Sequence, residues 1–213
     1  MKKKFDVIIA VVICLSSCAP SYKILKKDNS VVETNKISFT SKTTGETTTT
    51  TGVAYQPNNS STWDTIKADS LGFIAQKDFV TCISPAGKIR SAEVDNLALD
   101  VNSVCMKAKI DAISGYYPTG IVVGDFIAGF CVGVVGIIPA AITASTQVSQ
   151  TKVDACVSDT SLLKKQDYKP CLTEQAQKIK RDKSWSSWIR GWCTAIEVIA
   201  IVSMVTTLST TSH

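Results

Sequence analysis

Apolar and polar residues are sorted along this chain into blocks. Val7 to Leu15 is apolar, residues 19 to 62 are mostly Ser, Thr, Asn and Lys, residues 63 to 118 mix both kinds, and Ile121 to Ile142 and Cys193 to Leu208 are almost wholly apolar. Each block predicts a different element. The polar block has too few large apolar side chains to repay the ordering of a core, so residues 18 to 62 read mainly as a tether. Within it, Lys36-Ile-Ser-Phe-Thr40 and the threonine run at 47 to 51 have the β-propensity of edge strands. The mixed block predicts a small β-rich module. Asp78 to Ser84 and Lys88 to Val94 are strand-like and flank the turn signal Pro85-Ala86-Gly87. Met106 to Ala112 alternates apolar with charged residues, which favours a strand, although Val101, Val104, Cys105, Ala108 and Ala112 also share one helical face. The fold class expected is α+β, with two apolar C-terminal helices associated with a membrane.

The first of those helices occupies residues 119 to 144. Ile121 to Ile142 is 22 residues with Asp125 as its one charge, and as a straight helix it would be about 33 Å long, enough to cross a hydrocarbon core of roughly 30 Å. At 100° per residue Gly129, Gly133, Gly136 and Ala140 fall on one side, and Gly120, Gly124 and Ala128 on roughly the other. Small residues at such spacings let helix backbones approach closely in lipid, where packing must supply the attraction. The second helix, in residues 192 to 213, carries Glu197 as the one charge of its apolar run. It follows a basic connecting loop, 145 to 191, that ends in Trp185, Trp188 and Trp192. Tryptophans beside cations suit the headgroup level of a bilayer. Asp125 and Glu197 each lie near the start of their helices, where the macrodipole favours an anion.

The N-terminus joins Lys2-Lys3-Lys4, the short apolar run and Leu15-Ser16-Ser17-Cys18. A charged start, about nine apolar residues and a small-residue cut site make a secretory signal, residues 1 to 17. Leu15 to Cys18 resembles the lipobox of bacterial lipoproteins, and the resemblance implies cleavage before Cys18 and acylation of its thiol. Two or three acyl chains, at about 0.8 kcal/mol per buried methylene, would make attachment to membrane lipid effectively permanent. Ala19 and Pro20 follow, without the Asp that retains some lipoproteins at the inner membrane, so the outer membrane is the favoured destination. Loss of residues 1 to 17 removes three lysines and one aspartate, taking the formal charge from +5 to +3. That surplus is too small to point to nucleic acid.

Secretion permits disulfides. Sequence position favours Cys82 with Cys105 and Cys156 with Cys171, leaving Cys131 and Cys193 as thiols in apolar helices. The nine basic residues of the connecting loop outnumber its five acids, which in an inner-membrane protein would place it in the cytoplasm; a Cys156 to Cys171 disulfide would need an oxidising compartment. The chain's one histidine is His213, which argues against Ser-His and Cys-His nucleophiles and histidine metal sites, and no cofactor is expected. Ser161-Leu-Leu-Lys164 matches the Ser-x-x-Lys of penicillin-binding enzymes without that family's other motifs. Asp64-Thr65-Ile66 and Asp69-Ser70-Leu71 resemble bacterial O-glycosylation triplets. Anchor, tether, module and glycine-rich helix together resemble glycine-zipper envelope lipoproteins and, more loosely, the outer-membrane lipoproteins that block redundant conjugation. The expectation is a non-enzymatic structural or interaction protein of the envelope that self-associates through Gly129, Gly133 and Gly136 or binds another envelope protein. The alternative is a component of a transport, secretion or conjugation-related complex, with Asp125 or Glu197 facing water.

Overall fold

The computed structural model describes residues 21 to 210 apart from Gly45, Asn59 and Ser158, so the signal segment, Cys18 and His213 lie outside the described residues. The chain divides into two compact units, residues 1 to 106 and 107 to 213. The α+β expectation holds: an antiparallel sheet precedes a set of helices.

The first unit is a seven-stranded sheet, with β1 (Tyr22–Lys26), β2 (Val31–Thr44), β3 (Thr47–Pro57), β4 (Asp64–Lys67), β5 (Leu71–Gln76), β6 (Phe79–Ile83) and β7 (Ile89–Glu93) in the order β4-β3-β2-β1-β5-β6-β7. The polar block is therefore not a spacer over its described length, because it supplies the first three strands. Its threonines pair across the long β2–β3 hairpin from Thr34 with Pro57 to Thr44 with Thr47, with register shifts at Thr34/Lys36 and Thr40/Ser41. Thr34 is fully buried at the first shift and donates from Oγ1 to the Gln56 carbonyl, which satisfies the locally disrupted ladder. The strands expected on either side of Pro85-Ala86-Gly87 are β6 and β7, joined through Gly87 at φ +70°. The sheet curls until this turn meets the long hairpin: Thr50 N–H donates to the Gly87 carbonyl at 2.8 Å.

Both faces of the sheet bury apolar side chains. Successive residues on a strand point to opposite sides, yet Ile24 and Leu25 are both fully buried, as are their partners Ile74 and Phe73 to within 2%. Ile24, Val53, Tyr55, Ile66, Leu71 and Ile74 form one cluster, edged by Val32, Ile37 and Phe39. On the other side Leu25, Phe73, Val80 and Cys82 are buried. Each such side chain contributes about 1.5–3 kcal/mol by leaving water.

The second unit is helical: α1 (Val104–Gly115), whose first turn straddles the boundary between the units, α2 (Thr119–Val132), a 3₁₀ turn (Gly133–Gly136), α3 (Ile137–Ser145), α4 (Gln150–Asp154), a 3₁₀ segment (Thr160–Lys164) and α5 (Tyr168–Thr210). The strand favoured over 106 to 112 is a helix. Ala108, Ala112 and Ile113 are buried at helical spacing, and the alternating lysines made the same stretch look like a strand. The basic loop is not a loop after Tyr168. The tryptophan segment and the second apolar run are one continuous helix of 43 residues, about 64 Å long.

The disulfides also differ from expectation. Cys105 and Cys171 are each held in a disulfide, whereas Cys82 is a buried thiol and Cys156 a thiol whose Sγ donates to the Lys152 carbonyl at 3.1 Å. Loop-closure entropy grows only slowly with loop length, so nearness in sequence yields to the positions that strands and helices impose.

Candidate functional site

The helical unit has two chemically distinct zones. In the first, made by α1, α4, the 3₁₀ segment and the start of α5, apolar residues are inside: Ile113, Val153, Leu162, Tyr168 and Leu172 are buried. Lys164, Lys165, Lys169, Glu174, Arg181 and Asp182 are exposed. Tyr168 donates from its hydroxyl to Asp111; burial nonetheless holds the Asp111 carboxyl above its ordinary 3.8.

The second zone is α2, α3 and α5 from about Ser184 onward. Two helical stretches here, Thr119–Ser145 and Tyr168–Thr206, are long and apolar enough to cross a membrane. The first does not run straight. The Ser184 hydroxyl lies 2.6 Å from Asp125 Oδ2 and 3.1 Å from the Ala140 carbonyl, though 15 residues separate Asp125 from Ala140 and a straight helix would hold them about 22 Å apart. A Cβ on Gly136 would sit 2.4 Å from the Ala128 carbonyl. The chain folds back at Gly133, where φ is +58° and the helix ends. The α2 helix thus runs alongside α5 in the same direction, with Asp125 at Ser184 and Gly129 at Trp188 and Trp192, while α3 returns in the opposite direction, with Gly136 at Trp188, Ala140 at Ser184 and Ala144 at Gln177.

Glycine makes this packing close. A Cβ on Gly129 would meet the Trp188 carbonyl at 2.2 Å, and one on Gly191 would meet the Phe126 carbonyl at 2.2 Å. Of the glycines expected to pack helices, Gly129 and Gly136 pack within the chain and Gly133 makes the turn, while a Cβ on Gly120 or Gly124 would meet no other part of the chain within 4 Å. Sequence reasoning missed Gly191, which answers Gly129 from the other helix. Small residues facing each other across a crossing were the available signal.

Polarity in this zone is inverted. Polar side chains are turned inward beside Ala140, Ala144 and Trp188: Asp125 is 4% exposed, Ser184 is fully buried and Ser187 is 5% exposed, and Lys180, one turn before the zone, is 4% exposed. Each is satisfied. Lys180 Nζ donates to the Thr146 carbonyl and Oγ1 at 2.8 and 2.7 Å, Ser187 donates to the Val122 carbonyl, and Gln177 Nε2 donates to the Ala144 and Thr146 carbonyls at 3.1 and 2.9 Å. The surface is apolar, with Ile127, Val134, Val135, Ile138, Ile142, Ile199 and Met204 all more than half exposed. Asp125 is buried and bound to Ser184, whereas Glu197 is exposed within the apolar run. Of the three tryptophans, Trp188 is buried and donates from Nε1 to the Gly133 carbonyl at 3.3 Å, stacking on Trp192 and meeting Trp185 edge to face. Trp188 therefore props the turn rather than marking an interface.

Among the described residues no group of three His, Cys, Asp or Glu is placed to hold a metal ion. The Ser161 backbone N–H and the Asp159 carboxylate form a local cap. Thr65 and Ser70 of the two O-glycosylation-like triplets are exposed beside β4. No family model, curated protein or solved structure matches this chain.

Proposed function

We propose that this chain is a lipoprotein of the bacterial envelope with a non-enzymatic structural or interaction role, held by acyl chains on Cys18 and by its apolar helical zone. The observation that carries the reading is the inverted zone: an exposed surface of Ile, Val and Phe over buried Asp125, Ser184 and Ser187 suits hydrocarbon and not water. Lys2 to Lys4, the apolar run and Leu15 to Cys18 support secretion and lipidation, and Ala19-Pro20 supports delivery to the outer membrane. Its partners are membrane lipid through acylated Cys18 and a second copy of the chain or another envelope protein. Since Gly129 and Gly136 are engaged inside the chain, self-association falls to the open small face of α2 at Gly120 and Gly124.

Growth with labelled fatty acid followed by membrane fractionation tests this reading. The natural chain takes up label and fractionates with the outer membrane; Cys18→Ser takes up none, yet stays with membranes through alkaline carbonate because the apolar zone holds it. An unmodified product beginning at Met1 contradicts the proposal.

Glu197 favours a second reading, a part in a transport, secretion or conjugation complex. Its carboxyl stands exposed among Ile196, Val198 and Ile199, and an ionisable group at that depth pairs with a polar partner or faces water. Ion leakage through vesicles that Glu197→Leu abolishes would support it; tight vesicles in both cases favour the structural role.

A further inference from the structure

We infer that residues 119 to 145 form a re-entrant hairpin seated in one leaflet of the bilayer, and that α5 alone crosses the bilayer beside it. The inference takes from the proposed function only that the helical zone resides in a membrane; it requires neither the acyl anchor nor an envelope role.

The first support is dimensional. Along α5, the run of charged residues ends with Arg181, Asp182 and Lys183, and from the level of Ser184 to Val205 the surface is apolar apart from Arg190 and Glu197. Those 21 steps span about 32 Å, the thickness of a hydrocarbon core at roughly 30 Å. The hairpin does not reach so far. Its turn at Gly133 lies against Trp192, eight steps and about 12 Å beyond Ser184, which is within a single leaflet. Both of its arms return to the Ser184 level, at Asp125 and at Ala140. Outside the membrane the flanks also meet, since a Cβ on Gly115, just before the hairpin, would touch the Cys156 Cβ just after it.

Backbone chemistry supports the same placement. A broken helix is tolerated at membrane depth only where its freed polar groups are satisfied within protein. At this break the Gly133 N–H donates to the Gly129 carbonyl, the Gly133 carbonyl accepts from Trp188 Nε1, and the Ile137 N–H donates to the Val134 and Val135 carbonyls. Arg190, the one cation in the apolar length, is exposed six steps past Ser184, about 9 Å. Helical side chains lean toward the N-terminus, so its stem snorkels toward the nearer headgroups.

Lipid, and not a second protein surface, is the occupant that fits. Ile196, Val198, Ile199, Ile201, Val202, Met204 and Val205 are each at least 43% exposed, and at 100° per step they point to every side of α5. One partner helix covers one side; acyl chains cover all of them.

The test is sided labelling of the full chain carrying Thr119→Cys and Gln147→Cys, with Cys14, Cys18, Cys82, Cys131, Cys156 and Cys193 replaced by alanine. It is reconstituted in sealed vesicles of phosphatidylethanolamine and phosphatidylglycerol and treated with a membrane-impermeant maleimide. In mixed orientation a hairpin gives molecules with two labels or none; a straight span gives molecules with one, and that result overturns the inference. If circular dichroism shows that the thiol-depleted chain misfolds, the single variants in the natural background are labelled in membranes of one orientation and read peptide by peptide. Positions 119 and 147 must then label alike, and opposite labelling overturns the proposal. So does release of the chain by alkaline carbonate from vesicles. Fatty-acid uptake by the natural chain separates the two readings: two-or-none labelling together with no uptake at the natural Cys18 sinks the lipoprotein and leaves the hairpin standing, whereas uptake together with single labelling sinks the hairpin and leaves the lipoprotein standing.

Discussion

The sheet and the apolar helical zone withdraw opposite chemistry from their surroundings. In the sheet, Ile24, Phe73 and Val80 are fully buried and the threonines of the β2–β3 hairpin are largely exposed. In the helical zone, Asp125 and Ser184 are inside while Val134 and Ile199 are more than 60% exposed. The same rule, that each group sits where its solvation is least costly, yields both arrangements once the medium outside differs. On the proposed membrane reading, the edge of the bilayer falls near Lys183 and Ser184.

The comparison breaks most visibly under truncation. Phe73→Ala, at a fully buried sheet position, should cost about 3–5 kcal/mol in urea unfolding of the sheet. Ile199→Ala, at 65% exposure, should change helical unfolding in detergent by no more than about 0.5 kcal/mol. Next in size, Gly129→Leu drives a side chain into the Trp188 carbonyl and should cost about 3 kcal/mol in detergent melting. Gly120→Leu, where an added Cβ would meet nothing within 4 Å, should leave the melting curve of the dilute monomer in place and lower only the population of self-associated chain. Smaller again, Ser184→Ala strands the buried Asp125 carboxyl, a loss of about 1–3 kcal/mol by the same measurement. The least effect is a pH dependence. Because the folded-state pKa of Asp111 is raised by burial, its stabilising contribution is complete below the ordinary 3.8 and is lost as pH rises through the raised value. Tyr168→Phe removes the hydroxyl that favours the carboxylate, so the loss should extend to higher pH; Asp111→Asn should abolish it. Melting series from acid to neutral pH check both.

The sequence made β6, β7 and the two apolar stretches legible because a turn signal and uninterrupted apolar runs are local features. The strands in the polar block were legible only as edge strands, since their stabilisation comes from pairing across the β2–β3 hairpin and from curling onto Gly87, neither of which leaves a local apolar pattern. The fold-back hid inside one apolar run. Its signal was present in Gly133, Gly136 and Pro139, a turn followed by a proline in the first turn of α3, but a continuous apolar run outweighed it. The polar interior was not legible, because Asp125, Lys180 and Ser184 become neighbours only after the hairpin closes against α5.

Two native thiols test the account most directly. Cys131, beside the hairpin turn, and Cys193, just past Trp192, are both exposed, and alkylation requires a thiolate that hydrocarbon suppresses. In intact membranes a water-soluble maleimide should leave both unmodified until denaturing detergent is added. Rapid labelling of Cys131 and Cys193 in intact membranes would contradict a lipid-facing surface.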